Sequence, residues 1–501
     1  MKLLRTFAAI LFLLLPAVST LHADNVDRFV TQGVEYLYSV RFDDAARSFD
    51  QAIAADRSDP RGYFYRANVH LWSYIFDKRP AQLDLFFQTS DQAINAAEKR
   101  IEANPSDGRS KLFLGMCYGY RAIANARAEN IMAAALSARS CYDKLNDLVK
   151  DNPKYYDAYL GLGIFHFVIG SVPKAAQFMA GLSGLKGDAK LGVREIEAVA
   201  AQGNYFRNDA QMIVALLNIY YQNDFPKGIG ALESISRRYP QNVAFLYALG
   251  TAYLNQNQPD RAIEYFQRVI SQSNNDFKVF TDLSYGRTGI AFCQKNEFEK
   301  AKPYLQKYIK VSGETTYKAY AWYLLGLSFE IGGSRGNAVK AYEYATKSPG
   351  NTSPEDQASR RKAKLLLEKP LDPAGVAIIK ALNAVAGGNY DEALRLSNGA
   401  AALPNLSPAQ RAQLNYAYGR GMQGKGEYKR AVSAYKVALS TFQKEETWVA
   451  PFSCFHMAEC FLKLGDKEQW RSNIELAKGY HTYDNEMLLR FLIERDVTLI
   501  D

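Results

Sequence analysis

Histidine and cysteine are both scarce in this chain of 501 residues, with five of each. The histidines (His22, His70, His166, His456 and His481) are scattered, so none of them assembles a set with metal-ligand spacing. His456 and Cys460 stand four apart on one expected helix beside Glu459. That is half of a metal site with no second pair nearby, and a packed helix face is the simpler reading. No nucleophile elbow, no phosphate loop ending in lysine and a hydroxyl residue, and no zinc-protease helix occurs. The expectation is a non-enzyme with no catalytic residues, no metal and no cofactor. Five cysteines over this length also exclude a disulfide scaffold. Cys454 and Cys460 are six apart on one expected helix and cannot reach each other. Cys117 and Cys141 are the one pair that facing helices would bring together, if a hairpin turns near Glu129-Asn130. A bridge there further requires the Cβ vectors to agree, and the sequence leaves it open.

Long apolar runs are missing too, except at the start. Lys2 and Arg5 precede the apolar stretch Phe7–Leu15, and Ala17, Ser19 or Ala23 could precede a cut. Met1–Ala23 therefore reads as a secretory signal cleaved after Ala23, and the run is short for an uncleaved anchor. No cysteine lies near the cut to make a lipoprotein. Past residue 23 no window reaches 18 apolar residues without a charge. The expectation is an exported chain, periplasmic or secreted, soluble once the signal is removed. Without Lys2 and Arg5 it carries 59 basic and 52 acidic residues, a net of +7. That balance is compatible with a solvated surface or with peripheral contact with anionic lipid or glycan, and nucleic acid is not expected outside the cytoplasm.

What is plentiful is helical periodicity. Phe245–Ile270 reads as two amphipathic helices: Ala248, Gly250, Ala252 and Leu254 mark the first, and Ala262, Ile263, Phe266, Val269 and Ile270 the second. The polar stretch Asn255-Gln-Asn-Gln-Pro259 turns the chain between them. In the antiparallel hairpin Gly250 faces Ala262, and Phe266 fills the space one turn on. The same twelve-residue step recurs at Gly33/Ala45, Gly163/Ala175, Gly289/Ala301, Gly326/Ala338 and Gly419/Ala431, and Ala381/Ala393 repeats it with alanine. Four positions after these alanines stand Phe49, Met179, Leu305, Tyr342 and Tyr435; seven positions after them come Ala52, Leu182, Tyr308, Ala345 and Ala438. This is the helix–turn–helix unit of a tetratricopeptide repeat, which must stack because one hairpin cannot bury its apolar face alone. Acids open the second helices at Phe42-Asp-Asp and Tyr390-Asp-Glu, where the helix dipole favours them. The expected fold is all-α, a somewhat irregular α-solenoid of tetratricopeptide-like hairpins.

The pattern loosens over Arg61–Asn104 and Ser110–Asn152, which hold long second helices at Gln82–Ala103 and Ile131–Lys150. Gly170–Gly203 is the irregular centre; its glycines lack the strand and lysine of a phosphate loop. Ser348–Pro354 and Lys369–Pro373 are the clearest internal boundaries. They give a repeat array over 24–347, a linker over 348–373 carrying the basic run Arg360-Arg-Lys-Ala-Lys364, and a further array over 374–501. The basic run reads as a solvated helix face.

Repeat arrays of this kind bind partners in the groove lined by their first helices. Counting from the marker glycines, the groove candidates are Tyr247, Asn255, Tyr320, Tyr323, Tyr416, Arg420 and Gln423. Aromatic and amide groups suit an extended peptide or an apolar helix, although packing between neighbouring repeats would use the same tyrosines. A lysine–asparagine clamp for a terminal carboxylate is missing: its equivalents are Tyr247 and Thr251, and Gly286 and Ile290. The function expected is a non-catalytic scaffold in the cell envelope for an unidentified protein or peptide. The alternative is a binder or tether of anionic lipid or glycan.

Near the C-terminus, Trp448-Val-Ala-Pro-Phe452, His456-Met-Ala-Glu459, Ile474-Glu-Leu-Ala-Lys478 and Tyr483-Asp-Asn-Glu486 through Arg490 resemble the closing helices of the eukaryotic tetratricopeptide repeat protein 39 and inclusion-body-clearance (outer mitochondrial membrane) family. The Gly161–Tyr221 segment, with Ser171-Val-Pro, Gly187-Asp188, Gly192 and Arg207, is similar too. The resemblance implies an all-helical interaction protein without catalytic residues, tied in some members to mitochondrial surfaces or lipid droplets. The signal segment departs from that pattern and points to a bacterial, exported relative.

Overall fold

The structure is a computed structural model that describes residues 25–171, 186–272, 277–313, 317–349, 353–441 and 446–500. The expected signal, 1–23, and Ala175, Met179 and Leu182 lie outside the described residues. Among those described there is no strand, and no helix is long and apolar enough to cross a membrane. Two compact units emerge: Met1–Phe245 with Asn274–Val279, and Leu246–Ser273 with Phe280–Asp501.

The first unit opens with the helix at 25–38 and its partner Phe42–Ala55. Four pairs follow: Pro60–Asp77 on Pro80–Ala103, Gly108–Arg127 on Ile131–Asp151, Tyr159–Ser171 on Ala189–Gln202, and Arg207–Tyr220 on Phe225–Arg238. The fully buried ring of Phe64 is the hub of its core, 5.0–5.8 Å from the rings of Tyr65, Phe113, Tyr120 and Phe206. In the second unit Pro259–Ser271 and Phe298–Val311 are second helices, and Lys318–Ile331 packs on Arg335–Lys347. Pro373–Ala386, Pro408–Gly424 and Val449–Lys463 then pair with Tyr390–Ala401, Tyr428–Ser440 and Lys467–Lys478. The helix Glu486–Ile500 follows.

Each marker glycine makes room for a side chain, and it does so more directly than the facing small residues predict. A methyl group placed on Gly250 would lie 2.6 Å from the Phe266 ring. The same construction on Gly33, Gly326 and Gly419 meets the rings of Phe49, Tyr342 and Tyr435 at 2.3, 2.3 and 2.7 Å, and on Gly289 it meets Leu305 at 2.6 Å. The ring four residues after the alanine therefore rests on the glycine itself. Ala45, Ala262, Ala301, Ala338 and Ala431 are all fully buried, as are Ala381 and Ala393 of the glycine-free hairpin. Gly163 is seated differently: among the described residues it meets the Gly192 carbonyl and Ile196 across the helix Ala189–Gln202.

The turns have a common form. The chain enters the left-handed region two residues past the first helix, at Asn257, Asn296, Gly333, Gly388, Gly426 and Gly465. At Gly333 the amide donates to the Glu330 carbonyl and the next amide, Ser334, reaches back to Phe329 at 2.8 Å. The pair satisfies carbonyls that a helix end would leave open. Second helices begin where the acids predict, at Phe42 and Tyr390.

The segment read as a linker is an integral helix. Pro354–Glu368, capped by Ser353, packs on the helices Lys318–Ile331 and Arg335–Lys347, with Ala358 and Ala363 buried. Its basic run is partly engaged: Arg361 pairs with Asp484 at 2.6 Å and Glu446 at 3.3 Å, and Arg360 donates to the Ser348 carbonyl. All five cysteines are buried free thiols, so Cys117 and Cys141 are not bridged.

Two substitutions of the same kind should act with opposite sign. Gly230 is mid-helix with open space around its Cα, so Gly230→Ala should stabilise by about 0.5–1 kcal/mol through backbone entropy. Gly250→Ala drives a methyl into the Phe266 ring and should destabilise by about 1–3 kcal/mol. Urea titrations of the two variants followed by circular dichroism measure both; a stabilised Gly250→Ala would refute the ring-on-glycine account.

Candidate protein-binding groove

The first helices of the second unit place two of the expected residues, Tyr247 and Tyr320, around a charge the sequence count passed over. Arg287, one turn before Ile290 on Lys278–Gln294, donates to the phenol oxygens of Tyr247 and Tyr317. Its guanidinium carbon lies 4.8 Å from the centre of the Tyr317 ring. Leu283, Ile290, Tyr308 and Tyr320 complete the narrow cleft around it. No carboxylate pairs with Arg287 among the described residues, and the phenols leave its charge uncompensated. Such a cation, half-buried among rings, favours an incoming anion.

Tyr317 takes a backbone conformation that a side chain rarely adopts, with φ of 64°. It is held there by Asp356 of the helix Pro354–Glu368, whose carboxylate accepts from the amides of Tyr317 at 2.7 Å and Tyr320 at 2.9 Å. Those amides are open donors at the start of the helix Lys318–Ile331, so one carboxylate caps the helix and aims the ring. Tyr247 lies against Phe280 and Phe266, with ring centres 5.6 and 5.8 Å apart. Tyr323 is half-buried, 6.3 Å from the Tyr342 ring. Asn255 is exposed at the end of its helix.

The remaining candidates form a separate network, in which only the Arg420 Nε lacks a partner among the described residues. Tyr416 is buried and packs edge-on to Trp448 at 5.0 Å. Arg420 donates to His456 Nε2 at 2.5 Å, and His456 Nδ1 meets Glu459 Oε2 at 2.6 Å. Gln423 donates to Glu459 at 2.8 Å and accepts from Tyr435 at 2.6 Å. Because the guanidinium can only donate, Nε2 must be the bare nitrogen and the proton sits on Nδ1, facing Glu459. Both imidazole nitrogens are thus used, and Cys460 is fully buried; no group of three metal-binding side chains occurs among the described residues. Burial, then the Arg420 charge, lower His456 to about 4. Burial opposes the Glu459 charge, but His456, Arg420 and Gln423 outweigh it and hold the carboxyl down to about 2.

In the first unit, sequence reasoning also missed Asp209, which accepts from the Tyr120 hydroxyl at 3.1 Å and from Tyr38. Burial raises its pKa to about 6 against those bonds. Nothing in the repeat spacing marks it.

The lowered His456 pKa carries a pH signature. The unfolded chain takes up the proton near 6.5 and the folded chain only near 4, so stability falls as pH drops through that window, by roughly 1–3 kcal/mol. Thermal melts from pH 7 to 4 should show this slope in the native chain and a shallower one in His456→Gln, which keeps the contacts without titrating. Equal slopes would sink the buried, neutral His456.

The model of the tetratricopeptide repeat family matches residues 30–71 and 220–277. A search of the curated proteins returned no match. Among solved structures, the chain is similar to a tetratricopeptide repeat protein from Parabacteroides merdae at 16% identity, covering 58% of this chain and 98% of that one with a TM-score of 0.26. It is similar to pilF of Pseudomonas aeruginosa at 17% identity, covering 50% and 97% with a TM-score of 0.34. Yeast Tom70 shows 12% identity over 91% of this chain and 99% of its own, with a TM-score of 0.30. The two matched segments take in the glycine-and-ring hairpins at Gly33 and Gly250, so it is these hairpins that are similar to tetratricopeptide repeats.

Proposed function

We propose that this chain is a non-catalytic scaffold that takes an extended segment of a partner protein along the first helices of its second unit. The observation that carries the reading is Arg287, a groove cation with phenol partners only. Around it the half-buried rings of Tyr247, Tyr317 and Tyr320 offer flat apolar contact with hydroxyls at the edge. Rings of this kind contribute large contact area at low entropic cost, and a buried arginine adds a directional anchor. An extended peptide bearing an acidic side chain matches both. The Arg420–His456–Glu459 network compensates its own charges and serves to hold the later hairpins rather than to bind.

Export belongs to the same proposal, supported by the basic start and the apolar run at Phe7–Leu15. The partner is then an envelope protein. The resemblance of the closing helices to the tetratricopeptide repeat protein 39 and inclusion-body-clearance family supports an interaction role without chemistry.

A photo-crosslinking residue at Tyr320 in living cells, followed by mass spectrometry, tests the groove. One dominant protein should be captured, and Arg287→Glu should reduce its yield about tenfold, the scale for truncating an interfacial charge. Capture that is indifferent to Arg287→Glu would refute the reading. N-terminal sequencing of the chain recovered from an envelope fraction should begin at Asp24; a chain that starts at Met1 and stays in the cytosol would remove the envelope from the proposal.

A further inference from the structure

A second face of the same hairpin carries a pocket that neither the repeat pattern nor the groove accounts for. Helices Phe298–Val311, Lys318–Ile331 and Arg335–Lys347 enclose a cavity of about 300 Å³. Its floor is aromatic: Trp322 and Phe329, seven apart on one helix, and Tyr344, whose ring stacks on Trp322 with centres 4.6 Å apart. Tyr344 is nevertheless 56% exposed, so the stack presents ring surface to water. Trp322 and Phe329 point away from the helix face that carries Tyr320 and Tyr323, since a residue two positions from Tyr320 is turned through more than half a circle.

The rim is cationic. Lys310 and Lys340, from two different helices, border the pocket and are exposed. Neither makes an ion pair among the described residues. The two helices supply one carboxylate each, and both are engaged: Glu299 with Lys302 at 2.6 Å, and Glu343 with Lys347 at 4.0 Å. A third ammonium, Lys302, lies 5.1 Å from the Phe329 ring but is the one held by Glu299. The pocket therefore offers ring surface for a flat apolar group, two free positive charges beside it, and the Asn337 amide at the edge.

We infer that this pocket seats an aromatic side chain of a partner protein, with an acidic residue next to it in the partner reaching Lys310 and Lys340. The shape favours a protein anchor over a free small acid. The volume is at the bottom of the range for ligand pockets, about 300–1,000 Å³, and the pocket is open along one side, whereas small-ligand sites bury roughly 70–90% of their occupant. A ring on a chain is covered by its own flanking residues, the usual arrangement of an interface anchor. This surface is independent of the groove around Arg287.

The test uses the mature full-length chain and a capped peptide with one tryptophan between two aspartates, measured by isothermal titration calorimetry. Binding should weaken about tenfold or more in the Lys310→Glu, Lys340→Glu double variant and in Tyr344→Ala, and should weaken with added salt as exposed charge pairs do. Peptides with alanine for the tryptophan, or asparagine for the aspartates, should bind correspondingly less. Lys429→Glu, a charge reversal at an exposed lysine outside both the pocket and the groove, should leave the affinity unchanged. Because Lys310, Lys340 and Tyr344 are exposed, unchanged melting of these variants separates lost binding from lost fold. The inference is overturned if the native chain does not bind the peptide, if the alanine peptide binds equally, or if Lys429→Glu weakens binding as much. Indole-3-propionate binding as tightly as the peptide would overturn the protein anchor in favour of a small aromatic acid.

Discussion

A ring resting on a glycine sets the geometry of the hairpins on which the rest depends. Phe266 on Gly250, Tyr342 on Gly326 and Tyr435 on Gly419 are the same contact at successive places. Each ring is fully buried, which contributes roughly 1.5–3 kcal/mol of apolar transfer for a phenylalanine-sized group. Its cost is a glycine in the middle of a helix, about 1 kcal/mol against alanine. The balance favours the hairpin only while the ring can come down onto bare backbone. That requirement fixes how close the two helices lie, and the spacing in turn decides which faces of the first helix stay free for other work.

Polar groups then tie one hairpin to the next. Asp356 does so by capping the helix Lys318–Ile331 from the following element, and Glu330 accepts from Tyr342, Arg335 and the Leu371 amide. In the first unit Asp157 accepts from three consecutive amides, Asn204, Tyr205 and Phe206. A carboxylate satisfying several open amides is far more favourable than water left in the same place, because a buried unpaired donor is costly. The Arg420–His456–Glu459 chain applies the same logic to side chains alone. It holds opposite charges on either end of a neutral imidazole, so charging the ring would set it against the arginine.

Residue spacing made the repeats legible because the ring-on-glycine contact is local: glycine and ring are sixteen residues apart in every regular hairpin. It failed where the pairing is longer. Gly115 meets Leu145, thirty residues on, because the helices Gly108–Arg127 and Ile131–Asp151 are long, and Gly163 meets Gly192, twenty-nine residues on. The basic helix at Pro354–Glu368 was legible, but its proline flanks and arginines made it read as a solvated linker, whereas Arg361 satisfies two carboxylates far along the chain. Arg287 was in reach of the same count that gave Gly286 and Ile290. What no count could supply is the left-handed Tyr317 that brings a ring against it, since that conformation is imposed by Asp356 nearly forty residues later.

The helix Lys318–Ile331 shows how one short element serves two surfaces. Its buried residues Leu324, Leu325, Gly326, Leu327 and Ser328 pack the hairpin and its neighbours. Tyr320 lies toward the cation of Arg287, and Trp322 and Phe329 toward the lysines. Gly326 accepts the Tyr342 ring onto its backbone, so the hairpin contact at that position needs no side chain from this helix. Trp322 stacks on Tyr344 across the hairpin and Tyr323 lies beside Tyr342, yet both rings stay half-buried, and rings so placed keep surface able to hold another chain.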